Sequence, residues 1–189
     1  GGLGDVYKRQ VLAVVAVDDG IYDAAGNEAS TTQSNNTATL NDQLAPTITG
    51  VALAGNNSTI AVTFSEAVYN TNGGSGVLEA SDFSLSITGG TATVSSATPT
   101  SISPSGNVYT LGIGLTGTPD GSEVLKVDIF AGIYDAAGNE ASTTQSNNTA
   151  TLNDQLGPTL SETTAVTALD NNPTPTYVFN SSEVGTITY

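Results

Sequence analysis

The stretch TIAVTFS, residues 59–65, alternates apolar Ile60, Val62 and Phe64 with smaller side chains. A period of two puts one set on a single face, so the segment is predicted as a strand with one core face and one solvent face. The same alternation runs through Phe83, Leu85 and Ile87, through Tyr109, Leu111, Ile113 and Leu115, and through Leu125, Val127 and Ile129. In the last of these, Lys126 and Asp128 are expected to point outward. Thr, Ser, Val, Ile, Gly and Asn dominate the composition, helix-periodic stretches are missing, and turn clusters punctuate the chain. Seven strands are predicted, near 48–54, 58–65, 82–88, 91–96, 107–115, 123–130 and 147–152. Gly89-Gly90 lies between two alternating runs and suits a two-residue hairpin, because both positions tolerate positive φ.

Outward from this unit the chain repeats itself. Residues 21–44, IYDAAGNEASTTQSNNTATLNDQL, recur unchanged at 133–156, a period of 112 residues. That period is too long for a solenoid turn or propeller blade and matches one small domain, which points to a tandem array of units with their own cores. Seven strands in such a unit suit an all-β, immunoglobulin-like β-sandwich. A unit of this size buries roughly two-thirds of its unfolded surface and needs neither disulfide nor metal to fold. On this reading residues 45–156 are one complete unit. Residues 11–44 supply the last two strands of a preceding unit and 157–189 the first two of a following one, and neither fragment is expected to be stable alone. Residues 1–10 are set aside, because DVYKRQ at 5–10 reads as the translation of a sequencing adapter, GAT GTG TAT AAG AGA CAG.

The chain carries 18 acidic and 3 basic residues, a net charge of −15. Setting residues 1–10 aside removes Asp5, Lys8 and Arg9, which leaves Lys126 as the one base and a net charge of −16. One lysine builds neither a basic patch nor a basic helix, so nucleic acid and anionic membrane surfaces are not expected as partners. Cations are the small partners this charge favours, and carboxylates that bind none keep the chain soluble. Cys, Met, Trp and His are absent. That excludes disulfides, thiol catalysis and imidazole chemistry within this stretch. No apolar run approaches the ~20 residues of a spanning helix. The acids are spread over loops without a nucleophile and base constellation, so no enzymatic activity is expected.

The segment DAAGN, at 23–27 and 135–139, has two readings. Asp, Gly and Asn make turns, with the carboxylate accepting from a backbone N–H two residues on and the glycine at positive φ. The same carboxylate and amide are also hard oxygen donors of the kind calcium takes. In a seven-strand antiparallel sandwich, successive loops alternate between the two ends. The connections holding Glu66 and Asp135 then fall at the end where the first strand begins, and the incoming linker brings Asp42 there. Asp42, Glu66, Asp135 and Asn139 are therefore the candidate calcium ligands, and the ion would stiffen the joint between units. Extracellular modules of this kind bind with a dissociation constant on the order of 10⁻⁴ to 10⁻³ M. The loop at 70–76 is expected to be a flexible insertion at the same end. Tyr109 and Tyr134 are expected in the core, Tyr134 as a brace for the turn.

VTFSEAV at 62–68, followed far downstream by IYDAAGNEAS at 133–142, resembles the bacterial Ig-like domains of large surface proteins. PTPTYVFNSSEVGTITY at 173–189 resembles the opening of another bacterial Ig-like subfamily, with Phe179 and Glu183 standing where Phe64 and Glu66 stand. The two extra residues after Phe179 depart from the FSE spacing, and Glu183 is left outside the site. The resemblance covers nearly all of the chain after Gln10. It implies a sandwich fold, secretion to the cell surface or beyond, and a stalk or adhesin-type parent. The expected function is a structural spacer whose partners are neighbouring Ig-like repeats. The alternative is an adhesive module that itself grips extracellular polysaccharide or a cell-surface protein, which an exposed aromatic platform would favour.

Overall fold

The computed structural model describes residues 11–165 and 171–188, so the adapter-like run at 1–10 lies outside the described residues. Thirteen strands follow one another: β1 (Val11–Ala13), β2 (Thr37–Thr39), β3 (Ile48–Leu53), β4 (Thr59–Phe64), β5 (Phe83–Thr88), β6 (Thr93–Val94) and β7 (Ile102–Ser105), then β8 (Val108–Gly112), β9 (Leu115–Thr116), β10 (Val124–Ile129), β11 (Thr149–Thr151), β12 (Leu160–Thr164) and β13 (Val178–Ser181). Among the described residues the one helical element is a 3-10 turn at Ala80–Asp82. The chain is all-β, and its sheets are antiparallel.

Two sheets form the central body. One has the order β3-β4-β8-β7, the other β11-β10-β5. Period-two patterning sets their inner faces: Ile60, Val62 and Phe64 of β4 are buried, as are Leu125, Val127 and Ile129 of β10. With Phe83, Leu85, Tyr109 and Leu111 they join into one hydrophobic cluster. Phe64 anchors it, edge-on to Tyr109 at 5.7 Å and 87° and to Phe83 at 6.4 Å and 63°. Such offset aromatic pairs add to area burial. Burial pushes the Tyr109 hydroxyl pKa up, with Tyr69 adding to the effect, and the hydroxyl donates to the Val68 carbonyl at 3.2 Å. On the outer face Lys126 and Asp128 pair at 2.7 Å.

The sheets differ from the sequence reading in three places. A strand, β7, precedes β8 and was not anticipated, because its sequence ISPS contains Pro104. Proline has no N–H to give a ladder, and β7 is accordingly an edge strand bonded to β8 alone. The strand expected over 107–115 divides into β8 and β9. Side chains on Gly112 and Gly114 would collide with Thr100 and Ser101 and with Ser95 respectively, so these glycines let the backbone pass close to its neighbours as it leaves the sheet. Gly89 and Gly90 do take φ of +80° and +54°, but β6 pairs with β9 and not back onto β5. Beneath Gly90 the buried Glu123 carboxylate accepts from the backbone N–H of Thr91 and Ala92, each at 3.0 Å, and of Asp120 at 3.1 Å. A side chain at Gly90 would overlap this carboxylate, and the chain next meets β5 at Ala97, whose carbonyl accepts the Leu85 N–H at 2.7 Å.

On either side stand two-stranded sheets, β1 with β2 and β12 with β13. The β1–β2 pair repeats the β10–β11 pair closely. Val11, Leu12 and Ala13 face Thr39, Ala38 and Thr37, while Val124, Leu125 and Lys126 face Thr151, Ala150 and Thr149. Asn36 Nδ2 donates to the Val14 carbonyl at 2.6 Å, as Asn148 Nδ2 does to Val127 at 2.7 Å. Local sequence thus dictates local structure in both copies. Packing does not follow: Ile133 is 1% exposed and its twin Ile21 54%.

Candidate metal centre

The registers Ile48↔Phe64 and Ile129↔Phe83 bring the start of β3, the end of β4, the start of β5 and the end of β10 to one end of the central body. There the incoming linker is fastened to β4 by a reciprocal clip. Thr47 N–H donates to Ser65 Oγ at 3.1 Å, and Ser65 N–H donates to the Thr47 carbonyl at 2.8 Å. Glu66 is the next residue. Gln145, from the second repeat copy, accepts the Ile48 N–H on its Oε1 at 2.7 Å and ties the same strand from the other side. Neither Ser65 nor Gln145 stood out in the sequence.

Asp135 is placed by its own turn. Its N–H donates to the Asn139 carbonyl at 3.0 Å, its Oδ1 accepts the Asn139 N–H at 2.8 Å, and its Oδ2 accepts Asn139 Nδ2 at 2.8 Å. The exposed copy makes the same turn, with Asn27 donating to Asp23 at 2.8 Å from both its N–H and Nδ2. Those bonds, that from the Asn27 side chain first, hold the Asp23 carboxyl below the usual range. In both copies DAAGN is therefore a turn closed by its own hydrogen bonds. What distinguishes the second copy is its surroundings: Asp135 is buried, while Asp23 is exposed.

Asp42, Glu66 and Asp135 converge, with a carboxylate oxygen of each lying within 4.8 Å of the other two. Asp42 and Glu66 are half-buried, and Glu66 Oε1 is shielded from solvent. Asp42 Oδ1 accepts the Leu44 N–H at 2.9 Å, which bends the linker. Asn139 is brought to the same point, where its Nδ2 also reaches the Asp42 carbonyl at 3.2 Å and ties the turn to the linker. All four residues singled out from sequence thus meet at one joint. Charges of one sign this close repel in a partly buried setting. Lys126, the single base in the described residues, is engaged with Asp128. Three carboxylates gathered at one point offer the donor chemistry of a hard, oxygen-seeking cation.

The loop at 70–76 is a closed turn and not a loose insertion. Tyr69 and Tyr134 exchange backbone hydrogen bonds at 2.8 Å each way, and Thr71 bridges Ser75. Its tip lies on the DAAGN turn, so that a Cβ on Gly138 would come within 2.5 Å of Asn72 Oδ1. Tyr134 is half-buried, its backbone serving the bridge, whereas Tyr109 is in the core. Glu183 also stands differently from its sequence reading. Thr159 and Ser182 repeat the Thr47 and Ser65 clip, at 2.9 Å in both directions, which makes Glu183 the counterpart of Glu66 by position after the clip rather than by distance from Phe179. The Ser-Glu dipeptide was the usable signal.

No family model matches the chain, and neither a curated protein nor a solved structure matches it.

Proposed function

We propose that the chain is a structural spacer, a run of immunoglobulin-like units in the stalk of a secreted or surface-anchored bacterial protein, with calcium stiffening the joint between units. The observation that carries this reading is the meeting of Asp42, from the linker, with Glu66 and Asp135, from two loops of the next unit. An ion held there ties linker to unit, and Asn139 braces the same contact. Carboxylates left without a counter-ion would push the linker away. The strand order supports the immunoglobulin-like part of the reading, since β3-β4-β8-β7 opposite β11-β10-β5 parallels the ABED and CFG sheets of that fold. The exact recurrence of residues 21–44 at 133–156 supports the tandem arrangement. Repeated beads at strong negative charge would hold a distal domain away from a surface, their calcium serving the joints alone.

Calorimetric melting and small-angle scattering of the full chain, in calcium and then in excess chelator, test the proposal. A lower melting temperature and a softer particle in chelator are expected, with Asp42→Asn giving the softer particle even in calcium. A chain indifferent to chelator and to Asp42→Asn would leave DAAGN as a turn alone and remove calcium from the function.

A further inference from the structure

The turn resting on the DAAGN segment contains a chemically labile bond. Asn72 is the one asparagine in the chain followed by glycine. It is exposed, so water reaches it. Gly73 has φ +100°, and the space where its Cβ would stand holds nothing within 4 Å, so no side chain shields its nitrogen. Among the described residues the Gly73 N–H donates to no backbone or side-chain acceptor. Asn57 and Asn148, by contrast, are buried with their amides donating to the carbonyls of Asn153 and Val127.

We propose that Asn72-Gly73 is a spontaneous deamidation site whose product carboxylate lies on the turn that presents Asp135. The Gly73 nitrogen attacks Cγ of Asn72. The new N–Cγ bond closes a succinimide ring, the Cγ–Nδ2 bond breaks, and ammonia departs with the proton from the Gly73 N–H. Water then opens the ring at either carbonyl and leaves aspartate or isoaspartate. Nothing is oxidised or reduced, and water is the sole co-reactant.

Position gives the reaction its consequence. Asn72 Oδ1 is 2.5 Å from where a Cβ on Gly138 would stand, and a Cβ on Gly74 would lie 3.2 Å from Ala136 Cα, so the tip rests on residues 136–138. A new negative charge there adds to those of Asp42, Glu66 and Asp135. Isoaspartate also lengthens the main chain by one atom inside the turn that the Thr71 and Ser75 bridge closes. The coupling of this charge to a cation rests on the calcium reading; the deamidation does not. An aged chain depends more heavily on calcium than a fresh one.

Peptide mass mapping after prolonged incubation of the full chain in mildly alkaline buffer tests the chemistry. The peptide holding Asn72 should gain one mass unit and divide into aspartate and isoaspartate forms, and the Asn72→Gln protein should do neither. An intact Asn72 under conditions that deamidate another asparagine overturns the site. Melting of fresh, aged and Asn72→Asp chains, with calcium and with chelator, tests the coupling. A larger fall in chelator is expected for the aged and Asn72→Asp proteins. Equal falls across all three, beside a calcium effect in the fresh chain, overturn the coupling, and no calcium effect in any of them points to failure of the metal site itself.

Discussion

Gly26 and Gly138 occupy the same turn in the two repeat copies, at φ +87° and +92°, yet only Gly138 has a neighbour within reach of an added Cβ. A side chain at either position meets left-handed backbone strain of about 1–2 kcal/mol. Gly138→Ala adds a clash with Asn72 and with it the loss of the packed tip. Denaturant unfolding should therefore show the central body destabilised by at least about 1–2 kcal/mol in Gly138→Ala and unchanged in Gly26→Ala. Glu123 offers a second test at this scale. The Ala92 N–H foremost, with those of Thr91 and Asp120, holds its carboxyl below the ordinary value of 4.5. A carboxyl depressed in the folded state contributes stability that is complete above its unfolded pKa and lost as pH falls through the folded one. Melting temperature should then fall as the protein is acidified below about pH 4.5. Glu123→Gln should melt lower at neutral pH and show a flatter acid limb, and equal pH profiles would mean that the carboxylate charge does not matter there.

Among the elements, β4 joins the two halves of the core, pairing with β3 on one side and β8 on the other while burying Ile60, Val62 and Phe64. Truncation of Phe64, which contacts both Phe83 and Tyr109, should cost about 3–5 kcal/mol in chemical denaturation, the usual range for a buried phenylalanine. A loss under about 1 kcal/mol would mean that the site collapses around the gap. β4, β5 and β10 were legible in the sequence because each has one buried face, and period-two alternation reports nothing else. β7 and β9 were not legible, since an edge strand of ISPS and a two-residue strand bury too little to leave a pattern. Glu123 was missed for a related reason: two of its three backbone donors, Thr91 and Ala92, lie on a distant segment, and no local motif announces them. The convergence of Asp42, Glu66 and Asp135 was legible from loop alternation alone. The Thr47 and Ser65 clip that sets Glu66 in place needed coordinates, because a hydroxyl and a backbone pair carry no spacing signal.

Among the described residues most exposed apolar side chains lie outside the central body, Val11, Leu12, Val14, Val15, Ile21 and Leu40 before it and Leu160, Val178, Val184 and Ile187 after it, against Val77, Val124 and Phe130 within it. A protein trimmed to residues 45–156 should keep the cooperative melting of the central body and bind far less of a hydrophobic dye than the full chain. Equal dye binding would place the apolar surface in the central body instead. The exposed copy of residues 21–44 has one more consequence. β2 and β11 share the sequence Thr-Ala-Thr inside identical flanks, so during folding β10 faces two strands it cannot distinguish. Chain distance is what separates them: about 20 residues run from Ile129 to Thr149 and about 85 from Thr39 to Val124, worth only about 1 kcal/mol in loop-closure entropy. Refolding at high concentration, where other molecules supply further identical copies, should accordingly give strand-exchanged, interlinked species, and correct pairing rests on β10 closing on β11 before a twin segment is free.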